Sequence, residues 1–329
     1  LRRQAEMQKI TNYFKKADRI ALALLIGSVL IFVLMGVTHP KFFGKSNLQS
    51  MLIQCPEYGI LAFGMMIAMI AGGIDLSLVG IANLSGIVAA VLMLRMGGTN
   101  LSIGIGIVAA VLVGSLCGLF NGFIIGFLDI PAMLVTLCGL QLYSGLALII
   151  TKGPAITGLP ETFSNIANGK LLGVPIGAIV FVLIAILLCY LLYYTVFGKS
   201  LYLMGTNKIA SRFSGINNLR ITMLTYCLSG IFGSLAGILM ASHYNSAKSD
   251  YGTSYTLLTL LIVVLGGVNP NGGRGKVMGV VMSIILLQLV SSAFNILRVN
   301  AFVKTFAWGL ILILVTTATY LTAQKEARD

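Results

Sequence analysis

Three acids, Glu57, Asp75 and Asp129, stand in or beside long apolar runs, and they are the residues best placed to do chemistry. At the centre of a membrane span each such charge costs about 2.5–3.5 kcal/mol on insertion scales, so each needs a reason to be there. Asp75 follows Gly72-Gly73, where a break in a helix frees backbone groups that need partners. Two roles stay open for it: acceptor for those N–H groups, or a part in gating. Asp129, two residues before Pro131, is expected to cap the next helix from the interface. Glu57 follows Pro56 towards the outer end of its run and faces either a pore or the interface. No acid has a basic partner at helical spacing inside an apolar run, as a proton relay often needs. His39 and His243 fall in predicted outer loops, far apart, and Cys55, Cys117, Cys138, Cys189 and Cys227 have no metal-ligand spacing. The cysteines read as small buried hydrophobes. Gly272-Gly273-Arg274-Gly275-Lys276 lacks both the spacing and the Ser/Thr of a phosphate loop, and there is no Gly-x-Ser-x-Gly elbow. The chain is expected to hydrolyse nothing itself.

The elements that position these residues follow from composition. Of 329 residues 57% are hydrophobic and only 9% charged, against about 25% charged in a soluble domain. A run of roughly 20 apolar residues spans a bilayer, and about ten such candidates occur, at 20–37, 48–71, 79–96, 101–128, 132–150, 176–196, 221–240, 255–265, 277–294 and 302–322. The reading is an all-α membrane protein, one polytopic helical domain over 20–322 between a basic N-terminal arm (1–19) and a tail (323–329). No soluble domain is large enough to fold alone, and no cleaved signal peptide is expected. The net charge of +13 lies at the flanks of apolar runs, where it sets orientation and meets anionic lipid. Without a basic patch interleaved with aromatics, nucleic acid is excluded as a partner.

The polar interruption at 197–220 organises the rest. Its charges, Lys199, Lys208, Arg212 and Arg220, are all positive, which marks a cytoplasmic loop. Counting spans from a cytoplasmic N-terminus puts it on the same side. Within it, 207–213 fits about two helical turns, with Asn207 as N-cap and Gly205 and Gly215 as punctuation. A short capped helix there is a docking element. Two Gly-Gly interruptions, at Gly72-Gly73 and Gly266-Gly267, each end an aliphatic run, and such paired breaks point to an internal repeat with broken helices near a path. Asn83 and Asn121 are amides in apolar stretches, read as interhelical bonds or as solute contacts; Phe63, Phe120, Phe123 and Tyr143 are read as packing or as a path lining.

Several motifs, in order, resemble one family. Gly205-Thr206-Asn207, Ala210-Ser211-Arg212 and Ser214-Gly215-Ile216 look like the cytoplasmic coupling loop of sugar-type ABC importer permeases, the ribose/galactose/xylose and autoinducer-2 group. Gly72-Gly73-Ile74-Asp75-Leu76-Ser77, Gly118-Leu119-Phe120-Asn121-Gly122 with Ile130-Pro131 and Thr136-Leu137, and Gly266-Gly267 with Gly272-Gly273-Arg274-Gly275 are similar to further stretches of that group. Departures at Pro56-Glu57, Leu78-Val79-Gly80 and Asn269-Pro270-Asn271 bear on the solute rather than the class.

The resemblance implies a multi-pass permease of a bacterial inner membrane with both termini cytoplasmic. Its implied partners are a separate ATP-binding subunit that holds ATP-Mg, an extracytoplasmic solute-binding protein and a second permease subunit, identical or paralogous. No cofactor is expected on this chain. Carried onto this sequence, the positions coupling to the ATPase are Gly205, Asn207, Ala210, Arg212, Ser214 and Gly215. Those of the translocation path or its gating are Asp75, Ser77, Asn83, Asn121 and Phe120. The implied solute is a monosaccharide or sugar-like molecule. The rival readings are an ion-driven secondary transporter, marked by a buried acid–cation pair, and a related importer for nucleosides or branched-chain amino acids.

Overall fold

The computed structural model describes the backbone of residues 2–328 and the side chains of residues 20–300 and 302–317. The basic arm and the tail read from the sequence lie outside the residues whose side chains are described. Thirteen α-helices follow one another among the described residues. They are α1 (Arg2–Thr38), α2 (Lys45–Ile70), α3 (Leu78–Arg95), α4 (Asn100–Phe127), α5 (Ala132–Thr151), α6 (Glu161–Asn168) and α7 (Ile176–Tyr194). Then come α8 (Val196–Thr206), α9 (Lys208–Phe213), α10 (Asn218–Tyr244), α11 (Tyr255–Leu265), α12 (Val277–Ile296) and α13 (Ala301–Arg328). Eight are long and apolar enough to cross a membrane, and two shorter apolar helices, Tyr255–Leu265 and Phe302–Thr317, bring the apolar set to ten. The expected all-α bundle with interrupted helices is what forms.

Helices α2, α3 and α10 make the centre, and α10 packs on α2, α3 and α4. Residues 56–70 of α2 are buried on every face, so no amphipathic period marks them out. Around this centre α1, α4, α5 and α7 turn most of their apolar surface outward. That surface belongs in lipid, where burying leucine against leucine gains nothing over contact with acyl chains, and close van der Waals packing must hold helices together instead. The α4–α10 seam shows how. A Cβ on Gly114 would lie 2.5 Å from the Gly230 carbonyl oxygen, and one on Gly118 only 2.1 Å from that of Tyr226. The Gly114, Gly118, Gly122 spacing puts three small residues on one stripe against α10.

Both Gly-Gly breaks terminate their helices alike. Gly72 (φ 87°) and Gly267 (φ 81°) take the left-handed conformation that glycine adopts without penalty. The N–H of Gly73 then reaches the Ala68 carbonyl at 3.0 Å, and that of Val268 the Val263 carbonyl at 3.2 Å, the same 6→1 closure in both.

Three sequence expectations change here. The stretch 197–220 is not one loop with a short helix; α8 fills its first half, capped by Thr195, whose hydroxyl accepts from the Gly198 N–H at 3.2 Å. Leu201 and Met204 bury its inner face. Asp129 caps nothing: the cap position of α5 is Pro131, without a side-chain acceptor, and Asp129 itself has a φ of 52°. The predicted outer loop at 151–173 contains α6, and β2 (Lys170–Leu171) pairs with β3 (Val174–Pro175) at its end. Helix α6 and the pairing of β1 (Ile156–Thr157) to β4 (Ser246–Ala247) cover the end of the bundle away from α9.

Candidate coupling and translocation site

Helix α9 is a small knob fixed at both ends. Asn207 caps it as expected, its side-chain oxygen accepting from the N–H groups of Ile209 and Ala210, both at 2.9 Å. At the other end Gly215 (φ 82°) closes it, and the Ile216 N–H reaches the Ser211 carbonyl at 3.1 Å. Ser214 donates its hydroxyl back to the Ala210 carbonyl at 3.0 Å. The first turn of α10 grips the knob: Asn218 donates to the Lys208 carbonyl (2.8 Å) and accepts from the Ser211 hydroxyl (2.9 Å). Facing outward are Lys208, Ala210, Arg212, Ile209 and Phe213, the last two 71% and 89% exposed. Ile209 and Phe213 share one face at i,i+4 spacing. Sequence reasoning stressed Arg212 and passed over this apolar pair. An i,i+4 pair of large apolar residues in an otherwise polar, basic segment was the signal available.

Gly205, at the end of α8, is where the knob meets the end of α2 and the turn that follows the second break. A Cβ there would stand 1.9 Å from the Ile70 carbonyl oxygen at the end of α2, and 2.6 Å from the N–H nitrogen of Gly273. Those two groups hydrogen-bond to each other at 2.9 Å. On Gly272, a Cβ would meet the Gly205 carbonyl at 2.7 Å and the Gly72 Cα at 2.8 Å. Backbone thus lies on backbone, from the first break to the turn that follows the second, with α8 between them. Tyr202 of α8 adds a bond from its hydroxyl to the Gly275 carbonyl at 2.8 Å. The Gly272-Gly273-Arg274-Gly275-Lys276 stretch, which superficially resembles a phosphate loop, is used here as a clasp.

Behind the clasp a buried polar network ties the first break to α4, α5 and α10. The Asp75 carboxyl accepts from the Ser77 N–H (3.0 Å), the Ser77 hydroxyl (2.5 Å) and the Ser229 hydroxyl of α10 (2.6 Å). Asn121 of α4 donates to the Ser77 oxygen at 2.9 Å and accepts from the Tyr143 hydroxyl of α5 at 2.8 Å. Thr136 donates to the Ile74 carbonyl at 2.8 Å. Of the backbone groups at the break, the Ser77 N–H is met by Asp75 and the Ile74 carbonyl by Thr136 of α5, while α4 and α10 hold the side chains of Ser77 and Asp75. Tyr226 of α10 lies against Gly73, where a Cβ would come within 2.3 Å of its buried and unpartnered hydroxyl.

Two candidates for the path fall elsewhere. Asn83 donates to the carbonyls of Ser249 and Tyr251, both at 2.9 Å, and pins the segment after β4 at the end of the bundle away from α9. Asn83→Ala is expected to leave those carbonyls short of a donor and to destabilise the segment by about 1–2 kcal/mol. Faster protease cleavage between residues 245 and 254 in membranes checks it. Phe120, next to Asn121, is half exposed on the outer side of α4. It lines a cleft of about 420 Å³ between α4 and α5 with Ile124, Leu134, Val135 and Leu142, and Asn121 lies at its floor. The remaining wall of this cleft is almost wholly apolar.

His243 is also relocated. It belongs to the last turn of α10, not to a loop, and its Nδ1 meets the Glu57 carboxylate. The acid–imidazole contact missing from every single apolar run forms between two of them.

A multi-pass helical permease subunit is the class these features define. The chain belongs to the family described as branched-chain amino acid transport system / permease component, whose model matches residues 47–316. It is similar to the ribose import permease protein RbsC of Bacillus subtilis, 30% identical over 312 residues, 93% of this chain and 94% of that one. RbsC of Escherichia coli K12 is 30% identical over 307 residues, 92% of this chain and 94% of that one. The autoinducer 2 import system permease protein LsrC of Escherichia coli is 32% identical over 295 residues, 89% of this chain and 85% of that one. The resemblance read from the motifs therefore holds along nearly the whole chain. No solved structure matches it.

Proposed function

We propose that this chain is the membrane-spanning subunit of a binding-protein-dependent importer, moving a monosaccharide or sugar-like solute into the cytoplasm with ATP hydrolysed by a partner subunit. The observation that carries the reading is the continuity from α9 through Gly205 to the first helix break and to the turn that follows the second. On this reading α9 faces the cytoplasm, as its basic neighbours favour. Its outward Ile209, Phe213 and Arg212 dock in a groove of the ATPase, phenylalanine and arginine being residue types enriched at interfaces. Closure of the ATPase dimer displaces α9 as a rigid piece. The clasp passes that displacement to the ends of α2 and α12, and the helices that border the breaks rock to alternate access. The solute-binding protein docks on the opposite face, where α6 and the β1–β4 pairing lie, and a second permease subunit completes the path. ATP-Mg stays on the partner.

Arg212→Glu is expected to lower uptake at least tenfold, with the chain still inserted and the ATPase still active. Gly215→Val should do the same by another route. Space is open around Gly215, so nothing collides, but a β-branched residue at a φ of 82° is strained by about 1–2 kcal/mol and unwinds the end of α9. Uptake and ATPase rates measured together in proteoliposomes check both. Normal import by Arg212→Glu, or labelling of residues 205–216 from outside the cell, sinks the docking assignment.

One observation favours the ion-driven alternative, the contact between the buried Glu57 of α2 and the partly buried His243 of α10. The two readings separate on purification from native membranes: an ATPase subunit that comes with the chain, and uptake abolished by vanadate but not by a protonophore, support the importer. The description of the matched family keeps branched-chain amino acids as a solute alternative, while the names of the related permeases favour sugars. A thermal-shift screen on the cognate binding protein decides it.

A further inference from the structure

The coupling mechanism leaves a second polar cluster unused, towards the end of the bundle away from α9. Glu57, 0% exposed, stands near the middle of α2. His243 of α10 meets one carboxylate oxygen, and the hydroxyls of Tyr244 (3.3 Å) and Tyr255 of α11 (3.1 Å) donate to the other. No lysine or arginine among the described residues pairs with it. Tyr58, the next residue, donates to Gln288 Oε1 of α12, and its ring meets that of Tyr255 edge to face at 5.6 Å. Gln288 is 4% exposed, and its Nε2 is buried with no partner. Turning the amide over only exchanges which end is orphaned, because one hydroxyl cannot serve both.

Packing alone does not call for these residue types. A leucine at 57 and another at 288 would fill the space without burying a carboxylate or half an amide. A buried amide nitrogen left unmatched calls for an explanation, and a partner that arrives in another conformation supplies one. We propose that Glu57 and Gln288 contact the solute during passage, and that the solute they select is a neutral polyhydroxylated molecule. The carboxylate accepts from sugar hydroxyls, the Gln288 amide donates to another oxygen, and the rings of Tyr58 and Tyr255 offer apolar faces to sugar C–H groups. In the present arrangement the helices are drawn together, and His243, Tyr244 and Tyr255 occupy the carboxylate in the solute's place. The inference rests on the reading of this chain as a sugar-type permease and adds to it the groups that discriminate.

The test uses the whole importer, with its ATPase and binding protein, in proteoliposomes. The probes are D-ribose, 2-deoxy-D-ribose and 5-deoxy-D-ribose at saturating concentration, so that affinity for the binding protein cancels from the ratios of maximal rates. A site that hydrogen-bonds a hydroxyl discriminates strongly against the analogue lacking it. Glu57→Gln and Gln288→Leu are each expected to narrow the ratio of D-ribose to at least one deoxy analogue by fivefold or more, at unchanged membrane abundance. Should Glu57→Gln insert poorly, Gln288→Leu carries the test, since it removes an amide already half unpartnered. Rates that fall by one common factor for all three sugars overturn the proposal and make the cluster a structural clasp. A wild-type importer that moves none of the three, with a cognate binding protein that takes no sugar in the thermal-shift screen, overturns the sugar reading, and the inference with it.

Discussion

Alanine at position 205 is expected to lower solute uptake by at least a hundredfold, with binding-protein-stimulated ATP hydrolysis no longer tied to import. The single added carbon would stand 1.9 Å from one backbone oxygen and 2.6 Å from a backbone nitrogen. Neither obstacle is a side chain that can swing aside. Relief requires α8 to move off both the end of α2 and the turn at Gly272-Gly273, whose own Gly273 N–H to Ile70 carbonyl bond holds them together, and that movement opens the clasp. Overpacking typically costs about 1–3 kcal/mol and more where backbone must yield; about 3 kcal/mol corresponds to roughly a hundredfold. Gly104→Ala is the internal control, because a Cβ on Gly104 of α4 meets nothing within 4 Å. That change should leave uptake within twofold. Wild-type uptake in Gly205→Ala would show that the clasp transmits nothing.

How far the sequence leads depends on whether a residue's partner is near it in the chain. Asn207 and Gly215 were legible because a cap and a left-handed closure are local devices, fixed by residue type within a turn. The two breaks were legible for the same reason. That Gly205 touches Ile70 and Gly273 was not, since nothing in a run of apolar residues encodes which distant backbone comes close. The Glu57–His243 contact illustrates the same limit from the other side: 186 positions separate the two residues, and a search for charge pairs at helical spacing looks only within one helix. Phe120 and Asn121 fail differently. In a span apolar all round, period 3.6 carries no direction, so adjacent residues on α4 read alike although one faces outward and the other holds Tyr143 and Ser77. Helix α8 was hidden because Lys199 and Ser200 made its stretch look like a loop, while Leu201 and Met204 were already turning inward.

Asp75 separates structure from gating by substitution. Its three acceptor bonds hold Ser77 at the start of α3 and Ser229 at the middle of α10 in one place, and Ser77 in turn positions Asn121. Removing the shared acceptor orphans several buried donors at once, at about 1–3 kcal/mol each. Asp75→Ala should therefore cost about 3 kcal/mol or more, read as a tenfold or greater loss of folded chain in the membrane. Asp75→Asn keeps the shape. Its amide oxygen still accepts from both Ser77 groups, while its NH₂ donates to the Ser229 oxygen and leaves that hydroxyl free to turn to a carbonyl of its own helix. The asparagine variant is expected to insert normally and to retain at least a third of wild-type uptake, which assigns the carboxyl to holding the break. Normal insertion of Asp75→Asn with uptake abolished would instead make the charge itself part of the gate. The geometry favours the first outcome, because every bond the carboxyl makes is one that an amide of the same shape can replace.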